Sequence, residues 1–433
     1  MYYYCAKLNA FKLPELSEAV PAGGIIATAA VPSATLTRRP LMPFPHLRHR
    51  LLDPQLYLAT LDPRTAGNTV YKLATYPWFQ TQPVPYDSAQ HGTLNDYKTR
   101  FMAELHARWP GRAPTDDQAI LDCVKDALQI QIAIGCEGLI IPSPLTNTRT
   151  DYQLEIKYID AAVSLLPQLP ATLPMYASVA LSDGVLRNTD PVKNAVIQAI
   201  SDNIAARTEL AGAYIVLEQT AETGYVCVNE ETLLALLILC DDIARGAGKR
   251  VLVNYIGPFG AVMLATGASV WASGYYRSQR RMKLADQEED VGRSYPRFYS
   301  SPFAGDLGVQ DDLQLLSRTD LFHKVFSRSR ASLPLLHAIQ NGTYPQSAPQ
   351  WEYRPGNIWA AAAHYNDICC KIDAYLDTKD TQGKIEAVDR WLAQSAAFSK
   401  AASDAGVSGT HSDMRHQDIW LSAFRKWRNY AGV

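Results

Sequence analysis

The chain has 433 residues, 47% of them apolar and 19% charged, with a formal net charge of -2. That is room for one large domain plus an appendage, and it excludes any global electrostatic pull toward nucleic acid or membrane, so such partners have to be argued from local patches. The seven cysteines show neither C-x-x-C spacing nor finger-like pairing with histidine, which argues against a zinc module and for reduced core thiols. The opening Met1-Tyr-Tyr-Tyr-Cys-Ala-Lys lacks an apolar signal core and no stretch reaches the length of a spanning helix, so the reading is a cytoplasmic protein without a membrane partner.

Residues 1–22 read as a strand or lead-in. Gly23-Gly24 then opens the apolar run 25–31, closed by Pro32, as a first barrel strand. The segment 50–58 is a second, with Asp53 at its end and Pro54 discouraging continuation, and 72–75 is a weaker third. Helices are expected over 95–108 and from 115 or 116 to 132, the latter with Ile120, Val124, Leu128 and Ile132 on one face and Gly135 as its stop. From there strands at 138–142, 175–181, 213–217, 250–255 and 269–272 alternate with helices. Among those helices are 152–166, one opened by Asp190 and Pro191, and one capped by Asn229.

This alternation demands parallel strands with right-handed crossovers. Strand count and length favour a (β/α)8 TIM-like barrel over a doubly wound sheet, and no G-x-G-x-x-G follows the first strand. Beyond Arg318 the pattern is helix only, giving a barrel over 1–318 and an all-helical C-terminal subdomain over 319–433. Trp359, Tyr365, Trp391, Phe398, Trp420, Phe424 and Trp427 read as its packing face, with docking of a protein partner as the other reading.

In a parallel barrel, chemistry sits where strands hand over to loops. Glu218, at the end of an apolar strand, is the first candidate for general acid or base, because burial at such a rim raises a carboxyl pKa. Asp53 and Asp183 end two other strands, and paired carboxylates suit chemistry at a glycosidic bond. Asn254-Tyr-Ile-Gly257-Pro-Phe-Gly260 and Ser273-Gly274-Tyr-Tyr-Arg277-Ser-Gln-Arg280 form a candidate anion corner, with glycines admitting backbone N–H groups and arginines supplying charge. The alternative is tight turns, with the arginines paired to Glu288, Glu289 and Asp290. Ser143 and Asn147 sit in a polar turn suited to hydrogen-bonding a substrate. Tyr76-Pro-Trp-Phe79 would either stack on a ligand or pack a loop, and 80–95 is a candidate lid. There is no G-x-S-x-G elbow, no H-E-x-x-H and no compact metal pattern, and nothing names a cofactor.

The favoured reading is a barrel enzyme binding a phosphate-bearing or otherwise anionic small molecule or nucleotide, with Glu218 as acid or base and Asp53 or Asp183 assisting. The reaction would be transfer or hydrolysis at a glycosidic or nucleosidic bond. In architecture alone the chain is similar to the base-exchanging transglycosylases, barrels that work with two aspartates. Their cysteine-and-histidine zinc site has no counterpart after the last strand here. The alternative is a non-catalytic barrel subunit that holds nucleic acid phosphates on the basic stretches 38–50 and 277–283, or a protein partner on its C-terminal helices.

Overall fold

The computed structural model describes residues 1–6, 17–38, 49–79, 81, 101, 103–148, 151–170, 172–187, 189–220, 226–287, 294–407 and 416–433. Eight parallel strands form one sheet: β1 (Tyr2–Ala6), β2 (Gly23–Ala27), β3 (His49–Asp53), β4 (Leu139–Ile140), β5 (Met175–Ser182), β6 (Gly212–Glu218), β7 (Arg250–Asn254) and β8 (Val270–Ser273). Their order, β3-β2-β1-β8-β7-β6-β5-β4, leaves β3 and β4 as the two ends. The Glu137 N–H donates to Arg50 O at 3.1 Å across that seam, so the sheet is a nearly closed barrel. With alternating helices outside and a helical C-terminal region, the architecture is the expected (β/α)8 barrel with an appendage.

One early strand assignment is corrected, and the strand-or-lead-in reading of the N-terminus resolves to a strand. Residues 72–75 belong to the end and the C-cap turn of a helix, Gly67–Leu73, and the missing strand is Tyr2–Ala6, which pairs with both β2 and β8. Tyr2, Tyr3 and Tyr4 are all buried, so the sequence shows no polar-out alternation there, as expected for a strand covered on both faces. The run 25–31 leaves the sheet at Ala27 and closes in a 3-10 turn, Thr28–Ala30. Only 101 and 103–108 of the expected 95–108 helix lie within the described residues; the lid at 80–95 lies outside them except for Thr81, as do 39–48 of the basic stretch.

The outer layer follows its capping residues. Helix α1 (Asp117–Ala133) starts at Asp116, whose carboxylate accepts from the Gln118 and Ala119 N–H groups at 3.1 Å, and Gly135 follows it at φ +73°. Helix α2 is Asp151–Leu165 and α3 is Ala195–Ala206. Asp190 caps only the short turn Pro191–Lys193, and Asn194 opens α3 itself. Helix α4 (Glu230–Asp241) is capped by Asn229, as its spacing implied. Gly212 has to be glycine, because a Cβ there would lie 1.7 Å from Arg250 O on β7.

Between the barrel and the helical region stands an antiparallel hairpin, β9 (Arg297–Ser300) and β10 (Gly305–Gly308), that the sequence did not suggest. Three long helices follow: α5 (Trp359–Asp377), α6 (Thr381–Asp404) and α7 (His416–Ala431). Their aromatic residues do pack inward: Trp420, Phe424 and Trp427 are fully buried, and the Trp420 indole donates to Cys227 O at 2.9 Å. Helix α5 also reaches the barrel, where Asp367 accepts from the Glu18 and Ala19 N–H groups at 3.0 Å each. No helix among the described residues is long and apolar enough to cross a membrane.

Candidate active site

The candidate site is assembled from the inward residues at the C-terminal ends of the strands, and they fall into two groups. The deeper group is centred on Asp53, which is fully buried. It accepts from the Tyr57 hydroxyl at 2.5 Å, the Tyr214 hydroxyl at 2.7 Å and the Gln55 N–H at 3.1 Å. The Asn254 amide donates to the Tyr214 hydroxyl at 2.7 Å, and Gln55 Nε2 donates to the Tyr255 hydroxyl at 3.1 Å. Gln55 and Tyr255 are both left-handed, at φ 50° and 56°, which turns each side chain back into the barrel. Burial pushes the Asp53 carboxyl up from 3.8 to about 6, against the opposing pull of its phenol donors.

The second group lies where β5 and β6 end. Ser182 and Glu218 are register partners in the ladder, and Ser182 Oγ donates to Glu218 Oε2 at 3.4 Å. Thr220 Oγ1 donates to the same oxygen, and the Leu284 N–H donates to Oε1 at 3.4 Å. Glu218 is 1% exposed, yet Thr220 beside it is open to solvent, so this carboxyl stands one residue from water. Burial raises its pKa, the Thr220 and Leu284 hydrogen bonds oppose that, and the negative charge of Asp183 adds to the rise. Asp183 is itself buried and paired with Arg187 at 3.1 Å. The structure thus brings Ser182, the residue before Asp183, to Glu218, with the Asp183 charge close enough to be felt there, while Asp53 takes its hydrogen bonds in the other group.

The expected anion corner is largely occupied by the protein itself. Arg280 is ion-paired with Asp306 of the hairpin, donates to Gly274 O at 3.3 Å and lies 3.9 Å from the centre of the Tyr365 ring. Among the described residues Asp306 is the partner of Arg280 and Asp286 that of Arg281, at 2.9 Å; the 288–290 acids of the alternative reading lie outside the described residues. Ser273 Oγ shares a hydrogen bond with the Tyr365 hydroxyl at 2.8 Å. Gly260 and Gly274 are close-packing positions: a Cβ would meet Trp271 at 2.5 Å in one and Gln279 at 2.4 Å in the other. Gly257, at φ +57°, takes a conformation that side chains resist. Asn254 points into the Asp53 group, and the Arg277 side chain lies outside what is described.

Ser143 and Asn147 do not join either group. Thr146 pairs with Leu181, the neighbour of inward Ser182, so by strand alternation it faces the outer helix layer, where its hydroxyl donates to Glu155 Oε2 at 3.1 Å. Ser143 is a second hydroxyl beside Glu155, whose carboxyl burial pushes up to about 8. Asn147 is exposed, and its N–H bonds Asp151 at 3.0 Å at the start of α2. Trp78 and Tyr76 are packing residues, with Trp78 Nε1 on Pro54 O at 3.2 Å and the Tyr76 hydroxyl on Val31 O at 2.5 Å.

Tyr57, Tyr214, Gln55, Tyr255 and Glu155 were not singled out in the sequence. For Tyr214 a signal existed, since counting back in steps of two from Glu218 along β6 places it inward. For Asp306, in Gly305-Asp-Leu-Gly308, none did. No cluster of three or more metal-ligating side chains occurs among the described residues. Comparison with protein-family models, curated proteins and solved structures finds no match to this chain.

Proposed function

We propose that the protein is a barrel enzyme that moves a proton at a glycosidic or nucleosidic bond, with Glu218 as the general acid or base. The observation that supports this reading is the buried Glu218 carboxyl at the end of β6, opposite Ser182 of β5 and with Asp183 the next residue along, on the face where parallel barrels carry out chemistry. A carboxyl raised by burial and by a neighbouring carboxylate holds its proton nearer neutrality, which suits protonation of a leaving oxygen or nitrogen. Asp183 would then stabilise positive charge developing on the sugar carbon. Asp53 serves this site from below, holding Tyr214 and Asn254 in place. The reading rests on these carboxylates and not on Arg280 or Arg281, whose charges Asp306 and Asp286 already face. An anionic substrate remains part of the proposal through Arg277.

The rival reading, a non-catalytic scaffold, draws on the 1% exposure of Glu218 and its three donors. The test is turnover of a panel of nitrophenyl glycosides and nucleosides, with melting temperature followed against the same ligands and short oligonucleotides. Turnover abolished in Glu218→Gln, in a protein that still melts like wild type, supports the enzyme. No turnover of any substrate, together with oligonucleotide binding that weakens steeply with salt and survives Glu218→Gln, supports the scaffold.

A further inference from the structure

A cavity of about 440 Å³ opens in the helical region, between α5, α6 and the turn of the β9–β10 hairpin. Its floor is apolar, built from Ile368, Val388 and Trp391 among others, and Trp391 is anchored by its indole N–H on Ser301 O at 2.6 Å. Among the described residues its lining contains three cations, Arg328, Lys371 and Arg390, and no carboxylate. Lys371 is answered by Glu18 at 2.5 Å. Arg328 and Arg390 are exposed and have no ion pair among the described residues.

The volume falls in the range of small-ligand sites, and the walls divide such a ligand into two parts. An apolar body of six to ten carbons would leave water against Ile368, Val388 and Trp391, while one negative group would stand between two arginines that planar, bidentate recognition of a carboxylate favours. A fully polar anion would leave the floor wet, and an uncharged apolar ligand would leave the two arginines of the lining unanswered. We infer that this cavity is a binding site for an amphipathic monoanion, a medium-chain or aryl carboxylate, separate from the barrel mouth. The Trp391 anchor on Ser301 O fixes one wall of the cavity.

The experiment uses the whole chain and the aromatic sulfonate 8-anilino-1-naphthalenesulfonate as a fluorescent probe. Saturable binding near one probe per chain is expected, displaced by octanoate at least tenfold more effectively than by octanol and not by inorganic phosphate. Arg328→Ala and Arg390→Ala remove exposed side chains with no ion pair among the described residues and should melt as wild type does. Each should weaken the probe about threefold and the double variant about tenfold, as for partly screened charge pairs. Ala387→Phe, which fills the cavity, should abolish binding; if it fails to fold, the arginine variants decide alone. Equal displacement by octanol and octanoate, displacement by phosphate, or unchanged binding in the double variant would each overturn the assignment.

Discussion

Strands β3 and β6 both end on a buried carboxyl whose pKa burial raises, yet the two carboxyls have different surroundings. Asp53 is enclosed by stiff donors, two phenols and a backbone N–H, themselves held by Asn254 and by the left-handed Gln55 and Tyr255. Glu218 is held by two small hydroxyls and the N–H of Leu284 in the loop after β8, next to an exposed threonine and a second carboxylate. A raised pKa therefore does not mark a catalytic group by itself. What separates the two is how rigid the donors are and how far water stands away.

Removing the deep carboxylate breaks the comparison most forcibly. Asp53→Ala leaves two buried phenols and an N–H without an acceptor and is expected to cost about 3–5 kcal/mol of stability in urea denaturation. A cost near that of a surface substitution would mean that Asp53 is not the keystone described here. The pH dependence sharpens the point with a definite sign. Because Asp53 rises from 3.8 to about 6 on folding, the folded state binds its proton more tightly. Its contribution is fully present below pH 3.8 and is lost as pH rises through about 6. The stability of wild type relative to Asp53→Asn should accordingly fall by about 3 kcal/mol between pH 3 and pH 7; a difference that stays flat would show that burial does not govern this group.

At the rim the expected pattern is reversed. Glu218→Gln should lower turnover about 100-fold or more while shifting stability by under about 1 kcal/mol. A large stability loss with turnover intact would place Glu218 with Asp53 as a structural group. The smallest effect is the most diagnostic. Thr220→Val deletes a donor that favours the charged form of Glu218, so the basic limb of the pH–rate profile should move to higher pH, with stability changed by under about 1 kcal/mol. A profile that does not move would remove Thr220 from the site.

Much of the architecture was legible because it rests on local rules. The helix start at 115 or 116, the cap at Asn229, the apolar runs at 175–181 and 213–217, and the helix-only pattern after Arg318 each follow from period and end signals within a few residues. The N-terminal segment stayed open between strand and lead-in because Tyr2, Tyr3 and Tyr4 are all buried and show no alternation, and 72–75 was misread because it is too short for strand and helix periods to separate. At the site, placing Glu218 and Asp183 at neighbouring strand ends needed only the strand boundaries.

The sequence by itself placed Asp53, Asp183 and Glu218 at or just beyond strand ends, because that depends on spacing along the chain. Only the tertiary structure decided what each of those residues meets. Tyr214 comes to Asp53 from 161 positions away, Tyr365 to Ser273 from 92 and Asp306 to Arg280 from 26. Such pairings follow from barrel closure and from where the hairpin and α5 dock, and a charge or hydroxyl carries no local mark of the partner that folding will bring to it.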